Sequence, residues 1–202
     1  MTSSDSSRRR FLSGAAAAGG ALFAAAPEAR AGARTPTRTP ARTGTWPPGL
    51  EAAVRRAMPA AVDQARTARY PYGAVLVDVA GGSVVAAARN DSEHDPTAHA
   101  EVALLRKAAA AGLHLPDHAV VTTAEPCAMC AGALLWSGVR AVAYGTSVEK
   151  LVSYGVPQID ISFAEIAGRS LLSRSPALAG GVRCDLTDPL YRDLTRRPGA
   201  GG

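Results

Sequence analysis

A His-x-Glu motif, followed 25 residues later by a Pro-Cys-x-x-Cys motif, constrains this chain more than any other feature. His99, Cys127 and Cys130 offer one imidazole and two thiolates, which are ligands that zinc prefers in proteins. Three protein ligands leave the fourth tetrahedral position open, and an open position distinguishes a catalytic zinc from a structural one. The metal lowers the pKa of a water in that position to about 7. Glu101 is not needed as a ligand, so it is the candidate proton shuttle.

The cysteine motif lies at the predicted start of a helix. Cys127–Ser137 is rich in Ala, Leu and Met, and Gly138 can end the helix. Because Cys127 and Cys130 are three residues apart, they share a face of that helix. The macrodipole at a helix N-terminus favours thiolate over thiol, and thiolate is the form that binds a metal.

The histidine motif opens a second predicted helix, Thr97–Ala111, with Thr97 as its cap and Gly112 at its end. Residues two apart on a regular helix point to nearly opposite sides. The spacing alone therefore does not bring His99 and Glu101 to one metal. They can meet there only if both lie in the first turn, with the ion beyond the helix end.

Each motif has a simpler explanation when it is taken alone. A Cys-x-x-Cys is often a redox pair or, in an exported protein, a disulfide, and a His-x-Glu is often a solvated helix face. The chain would then be a thiol–disulfide oxidoreductase or a non-catalytic binding module stabilised by zinc. A structural zinc needs a fourth His or Cys, but Cys184 is far along the chain and His94 lies on a predicted loop. The two motifs together favour catalytic Zn²⁺, because both alternatives leave Glu101 unexplained.

The order of helices and strands predicts an α/β fold. Strands alternate with helices after an initial hairpin, which indicates a mixed sheet with helices on both faces. The predicted helices and strands are helix Leu50–Ala68, strands Gly73–Val79 and Ser83–Ala88, helix Thr97–Ala111, strand His118–Thr123, helix Cys127–Ser137, strands Val139–Tyr144 and Gly181–Leu186, and helix Asp188–Arg196.

The chain resembles the cytidine and deoxycytidylate deaminase-like proteins, in the branch that holds guanine deaminases and tRNA adenosine deaminases. The resemblance covers well over half of the chain, and rests on the zinc motifs and on Pro71–Val77, Asn90 and Asp95–Glu101. It implies a three-layer α/β/α sandwich with a central mixed five-stranded sheet. It also implies hydrolytic deamination of a nucleobase or nucleoside by a homodimer.

The same resemblance suggests roles for single residues. Glu101 would shuttle protons, Asn90 would hydrogen-bond the base or ribose, and backbone around Ala100 would orient the ring, although Asn also suits a turn after a strand. Trp136 stands where the guanine deaminases carry Trp and the tRNA-editing members tend to carry His. Tyr154 is a candidate stacking residue, and a surface or core tyrosine is the alternative. Guanine or a related purine is the leading substrate, before cytidine or cytosine, with DNA or RNA third.

The N-terminal residues predict export. The run Ser7-Arg8-Arg9-Arg10 stands just ahead of Phe11-Leu12, an Ala/Gly-rich stretch follows to Ala26, and Ala29-Arg30-Ala31 fits a cleavage site. Residues 1–31 are therefore a predicted twin-arginine signal peptide, and the mature enzyme would be secreted or extracytoplasmic. A disordered basic tail with an Ala-rich helix is the alternative. A stable membrane anchor is not expected, because the apolar run is too short.

Residues 32–48 form a predicted disordered linker, and residues 49–202 the predicted deaminase domain. The linker alternates Arg, Thr and Pro, with no large apolar residue before Trp46. It therefore cannot bury enough apolar surface to compensate for the entropy lost when it becomes ordered.

The charged residues are also distributed unevenly along the chain. Of 22 basic and 17 acidic residues, seven and two precede Trp46, which leaves 15 of each sign beyond it. Net charge thus favours a small-molecule substrate and gives no support for a nucleic-acid partner.

Overall fold

The structure is a computed structural model that describes residues 43–192 and Leu194. The predicted signal peptide and the predicted linker as far as residue 42 lie outside the described residues. The elements are helix α1 (Leu50–Arg66), strands β1 (Gly73–Asp78) and β2 (Val84–Arg89), helix α2 (Ala100–Ala110), strand β3 (His118–Ala124), helix α3 (Ala128–Ser137), strand β4 (Ala141–Thr146), helices α4 (Val148–Ser153) and α5 (Phe163–Gly168), strand β5 (Ala177–Ala179) and helix α6 (Cys184–Tyr191).

The five strands form one mixed sheet in the order β2-β1-β3-β4-β5. Strand β1 runs antiparallel to both β2 and β3, whereas β3, β4 and β5 run parallel. Helices α1 and α6 cover one face, and α2, α3 and α5 cover the other. The predicted three-layer α/β/α sandwich is confirmed.

Alternation along β1 builds both faces of the core. Val75 and Val77 pack with the residues of α1, while Ala74 and Leu76 pack with those of α2 and α3. Gly73, at the start of β1, lies so close to α1 that a Cβ there would overlap the helix backbone. The strand can approach the helix this closely only because Gly73 has no side chain.

Two predicted C-terminal elements are wrong. The fifth strand is Ala177–Ala179 and not Gly181–Leu186, because the chain turns at Gly181 with a φ of 71° and Arg183 adopts a left-handed φ of 52°. The last helix begins at Cys184 rather than at Asp188. A three-residue strand is too short to show an alternating pattern.

The last residues of the predicted linker contact the edge of the sheet. Thr43 pairs with Leu178 of β5, and the Trp46 indole N–H donates to the Leu178 carbonyl at 3.2 Å. Within the described residues, no helix has the length and apolar character needed to cross a membrane.

Candidate zinc centre

The sheet topology gathers the motif residues at one edge. Because β1 is antiparallel to its neighbours, its start lies beside the ends of β2 and β3. Asn90 follows β2, Tyr72 precedes β1, and Cys127 follows β3. The Asn90 backbone N–H donates to the Tyr72 carbonyl at 2.9 Å, which joins the two chain segments there.

Two helices begin at this edge, and each begins with a metal-ligand candidate. His99 is the N-terminal cap of α2 and Cys127 that of α3, both with extended backbone and neither with a side-chain capping bond. Their side chains are therefore directed beyond the helix ends. Cys130, buried in the first turn of α3, completes the set, and the three ligand atoms all lie within 4.8 Å of one another.

The predicted start of α2 at Thr97 is wrong, and a polar turn explains the difference. The Asp95 carboxylate accepts from the backbone N–H and the hydroxyl of Thr97, at 2.8 and 2.7 Å, and from Arg106 of α2 at 2.8 Å. This turn holds the chain outside the helix until His99. Glu101 consequently lies in the first turn, as the spacing argument requires if it is to share a metal with His99.

The distances fit zinc. The His99 Nδ1 atom lies 3.5 Å from the Cys127 sulfur. Tetrahedral zinc, with Zn–S about 2.3 Å and Zn–N about 2.0–2.1 Å, places such atoms about 3.6 Å apart. One imidazole and two sulfurs are a zinc donor set that leaves one position open. His94 is exposed and bonded to Asp91, and it is not among the gathered ligand atoms.

The two thiols share one negative charge in the metal-free protein. Hydrogen bonding from Cys130, and then from His99, lowers the pKa of Cys127 to about 4. The Cys127 thiolate and burial in turn raise the pKa of Cys130. The Cys127 thiolate also raises the pKa of His99. The site thus holds a thiolate before any metal arrives, which favours cation binding.

Glu101 is a buried carboxyl beside these ligands. Its side chain accepts a hydrogen bond from the Thr122 hydroxyl at 2.6 Å. Burial raises the pKa of Glu101, and the bond from Thr122 opposes that rise. A raised pKa makes the carboxylate a stronger base, which suits a group that accepts and then returns protons.

Comparison with known proteins agrees with this geometry. The family model described as the cytidine and deoxycytidylate deaminase zinc-binding region matches residues 49–146. The tRNA-specific adenosine deaminase of Rickettsia felis is 34% identical over 131 residues, which are 63% of this chain and 87% of that protein. The chain belongs to the cytidine and deoxycytidylate deaminase family. The prediction of a zinc cofactor is thereby confirmed, and a zinc-dependent hydrolytic deaminase is the class of enzyme that this family indicates.

Two further relatives of this deaminase family are informative. The guanine deaminase of Bacillus subtilis is 42% identical over 78 residues, 37% of this chain and 49% of that protein. A solved structure from work on A-to-I editing by tRNA A34 deaminases has a TM-score of 0.56 at 30% identity, covering 67% of this chain and 98% of that one. The chain spans only 24% to 52% of the length of several other curated relatives that it matches.

The other predicted substrate contacts lie in different surroundings. Asn90 is buried, and its amide donates to the Ser92 hydroxyl at 2.8 Å. Ala100 is buried between His99 and Glu101. Trp136, in contrast, is 78% exposed in the last turn of α3, where it lines a surface groove. The single chain therefore does not bring Trp136 to the metal ligands.

Tyr154 ends α4 and is half-buried. It packs on a small cluster that includes Leu151 and Tyr191, and Tyr72 packs on the same cluster. The substrate roles of Tyr154 and Trp136 stay predictions.

Three neighbours of the site were not predicted. Burial, and to a lesser extent the nearby charge of Glu101, raises the pKa of the Tyr72 phenol to about 12. Thr122 bonds Glu101, and Glu125 bonds the starts of α4 and α5. Tyr72 lies within the Pro71–Val77 motif and Glu125 directly precedes the cysteine motif, and these positions were their signal. Thr122 had none, because its role depends on a contact between residues 21 positions apart.

Proposed function

We propose that the protein is a zinc-dependent hydrolytic deaminase of a free nucleobase or nucleoside, with guanine or a related purine as its leading substrate. The observation that supports this most is the buried Glu101 carboxyl in the first turn of α2, beside three zinc ligands. A structural site does not need such a carboxyl. A redox pair needs neither Glu101 nor His99.

His99, Cys127 and Cys130 would hold the zinc. When bound, zinc lowers the pKa of a water in its open position and makes a nucleophile available near neutral pH. Glu101 would accept one proton from the attacking water and pass it to the ring nitrogen. It would then accept the second proton of that water, from the hydroxyl now on the ring carbon, and pass it to the leaving amine. Water and an amino-substituted ring thereby become a ring carbonyl and ammonia.

Thr122 and Asn90 would act beside this proton transfer. The Thr122 hydroxyl holds one oxygen of Glu101 in place, so the carboxyl does not need to reorient between accepting and donating. Asn90, fixed at the end of β2 by its backbone bond to Tyr72, would orient the ring.

The relatives act on different substrates, so purine preference rests on other features. One relative is a guanine deaminase and another is a tRNA-specific adenosine deaminase. Trp136 agrees with the guanine deaminases. Net charge argues against tRNA, because residues 46–202 contain 15 basic and 15 acidic side chains.

Ammonia release from a panel of substrates tests the proposal. The panel contains guanine, adenine and cytosine, their nucleosides, and a tRNA with adenosine in the anticodon loop. We expect the highest kcat/KM with guanine or another free purine, and ammonia release slower by at least about 100-fold in the Glu101→Gln variant. A preference for tRNA would reject the small-molecule proposal. If only cytosine or cytidine released ammonia, the proposed preference for a purine substrate would be rejected.

We also propose that the enzyme is exported by the twin-arginine route and cleaved after Ala31. Support comes from the paired arginines, the apolar stretch and the Ala29-Arg30-Ala31 sequence. Export in the folded state would let zinc protect Cys127 and Cys130 from oxidation. N-terminal sequencing of the protein outside the cytoplasm, with Arg8-Arg9 replaced by two lysines as the control, tests this. Mature protein found only inside intact cells would reject it.

The homodimer expected from the family is a further proposal. Light scattering of the purified protein tests it, and a monomeric mass at micromolar concentration would reject it.

A further inference from the structure

Glu125 is a buried carboxylate that hydrogen-bonds two separate parts of the backbone. It is 5% exposed. Its Oε2 atom accepts from the Val148 N–H at 2.9 Å, and its Oε1 atom accepts from the Phe163 N–H at 2.9 Å. Val148 is the first residue of α4, and Phe163 is the first residue of α5. One carboxylate thus holds both ends of residues 148–163, hereafter the 148–163 segment.

The backbone of Glu125 is itself firmly placed. Its N–H donates to the Thr146 carbonyl at 2.7 Å, which extends the pairing of β3 with β4. The chain then continues through Pro126 to Cys127, the first cysteine ligand. A shift of the carboxylate therefore acts both on the 148–163 segment and on the loop that positions Cys127.

A buried carboxylate is costly unless hydrogen bonds compensate it. The two backbone donors provide such compensation. A well-packed apolar side chain could fill the same space without the desolvation penalty, but it could not bond two distant N–H groups. The two hydrogen bonds, rather than its packing, therefore distinguish Glu125 from an apolar side chain at this position.

The 148–163 segment lies against the aromatic side of the site. Leu151 and Val156 of the segment are buried in the cluster that contains Tyr191, and Tyr72 and Tyr154 pack on it. The rings of Tyr72 and Tyr191 are 5.1 Å apart. Gln158, in the second half of the segment, lies near enough to the Tyr72 phenol to lower its pKa against the opposing effect of burial.

Tyr72 connects this arrangement to the reacting groups. Its backbone carbonyl accepts a hydrogen bond from the Asn90 backbone N–H. Its phenol is close enough to Glu101 and Cys127 for their charges to raise the phenol pKa. The 148–163 segment thus packs against Tyr72, the residue that is bonded to Asn90 and lies near Glu101.

We propose that Glu125 is a positioning residue that holds both ends of the 148–163 segment against the Cys127 loop and thereby sets substrate affinity. The proposal rests on the deaminase function proposed above. The side chain of Glu125 bonds the backbone at both ends of the segment, so its effect reaches the substrate through the segment.

The Glu125→Gln variant tests this role. The amide oxygen can still accept from one backbone N–H, but the amide N–H₂ then faces the other donor, and one end of the segment is released. We expect KM for the best substrate to rise about tenfold, the effect of losing one hydrogen bond to a charged group. We expect kcat per bound zinc to stay within about threefold, since Glu101 is untouched.

A merely structural role would give a different result. It would lower the fraction of folded, zinc-loaded enzyme, so apparent kcat would fall while KM stayed constant. That outcome, or loss of zinc at unchanged KM, would overturn the proposal. Glu149→Gln is the matched control, because Glu149 is an exposed carboxylate of the same segment and leaves both anchoring bonds intact. Its KM should equal that of the wild type.

Val148→Pro removes one anchoring bond without changing the carboxylate. Proline lacks the N–H but is well tolerated at the first position of a helix, and the preceding Ser147 has a ψ of 158°, which a following proline permits. The same rise in KM is expected. This variant decides the matter if Glu125→Gln does not fold, and an unchanged KM in a folded Val148→Pro protein would contradict the proposal.

Hydrogen exchange provides a readout that needs no substrate. In zinc-loaded Glu125→Gln, amides of residues 149–162 should exchange about tenfold faster than in the wild type, and amides of β1 and α1 should be unchanged. Unaltered exchange in the segment would reject the positioning role even if every deaminase assay succeeded. Conversely, a wild-type enzyme inactive on the whole panel, with accelerated exchange in the variant, would reject the proposed function and retain the anchoring.

Discussion

The hydroxyl of Thr122 donates a 2.6 Å hydrogen bond to Oε1 of Glu101 and so joins the central strand β3 to the first turn of α2. Both side chains are buried. Burial raises the pKa of Glu101, whereas the bond stabilises its charged form and limits the rise. Strand β3 thus sets both the orientation and the acidity of the proposed proton shuttle.

Replacement of Thr122 by Val should shift the pH dependence of the reaction. The variant loses the donor that stabilises the Glu101 carboxylate, so the pKa of Glu101 rises further and the acid limb of kcat/KM moves to higher pH. We expect about a tenfold loss of kcat/KM at neutral pH. Thr122→Ser keeps the hydroxyl and should behave like the wild type. Identical pH profiles for the Thr122→Val variant and the wild type would show that this bond does not affect the pKa of Glu101.

Glu101→Gln should separate metal binding from proton transfer. The amide oxygen can still accept from Thr122, and Glu101 is not a required ligand, so zinc content should stay at the wild-type level. Because the amide cannot shuttle protons, kcat should fall by at least about 100-fold. Ammonia release with parallel metal analysis measures both quantities. Full activity in a zinc-loaded variant would refute the role of Glu101.

The two histidines near the start of α2 should differ in their effect on zinc. His99→Ala removes a ligand, so bound zinc should drop well below one per chain after dialysis. His94→Ala is the control, because His94 is exposed and bonded to Asp91 rather than to the site. It should keep full zinc content. If the His94 variant lost zinc and the His99 variant retained it, the ligand set would be wrong.

Local motifs allowed much of this site to be predicted from the sequence. His99, Cys127 and Cys130 stand in two short patterns, and each pattern fixes its residues relative to one helix start. The spacing argument also anticipated that His99 and Glu101 could meet only in a first turn. The exact start of α2 could not be predicted, because it depends on the Asp95 side chain bonding Thr97 and Arg106.

Contacts between distant residues explain most of what was missed. Strands β1 to β4 have clear apolar patterns, but β5 has only three residues and is defined by its pairing with Ala141–Ala143. The role of Glu125 depends on N–H groups 23 and 38 positions further along the chain. Neither pattern nor propensity reveals such partners before the sheet is assembled.

Zinc binding should release protons, because the metal-free site holds more protons than the occupied one. The pKa of Cys127 is lowered to about 4, so its thiolate is already present at neutral pH, whereas Cys130 remains a thiol. Zinc requires both thiolates and a neutral imidazole, so the raised pKa of His99 adds to the protons that have to leave. More than one proton should therefore leave per zinc at about pH 7, and zinc affinity should rise at least about tenfold per pH unit. Calorimetric titration in two buffers of different ionisation enthalpy measures the release, with Cys184→Ser as a control that should not change it. An affinity that does not vary between about pH 6 and pH 8 would show that both cysteines are already ionised before the metal binds.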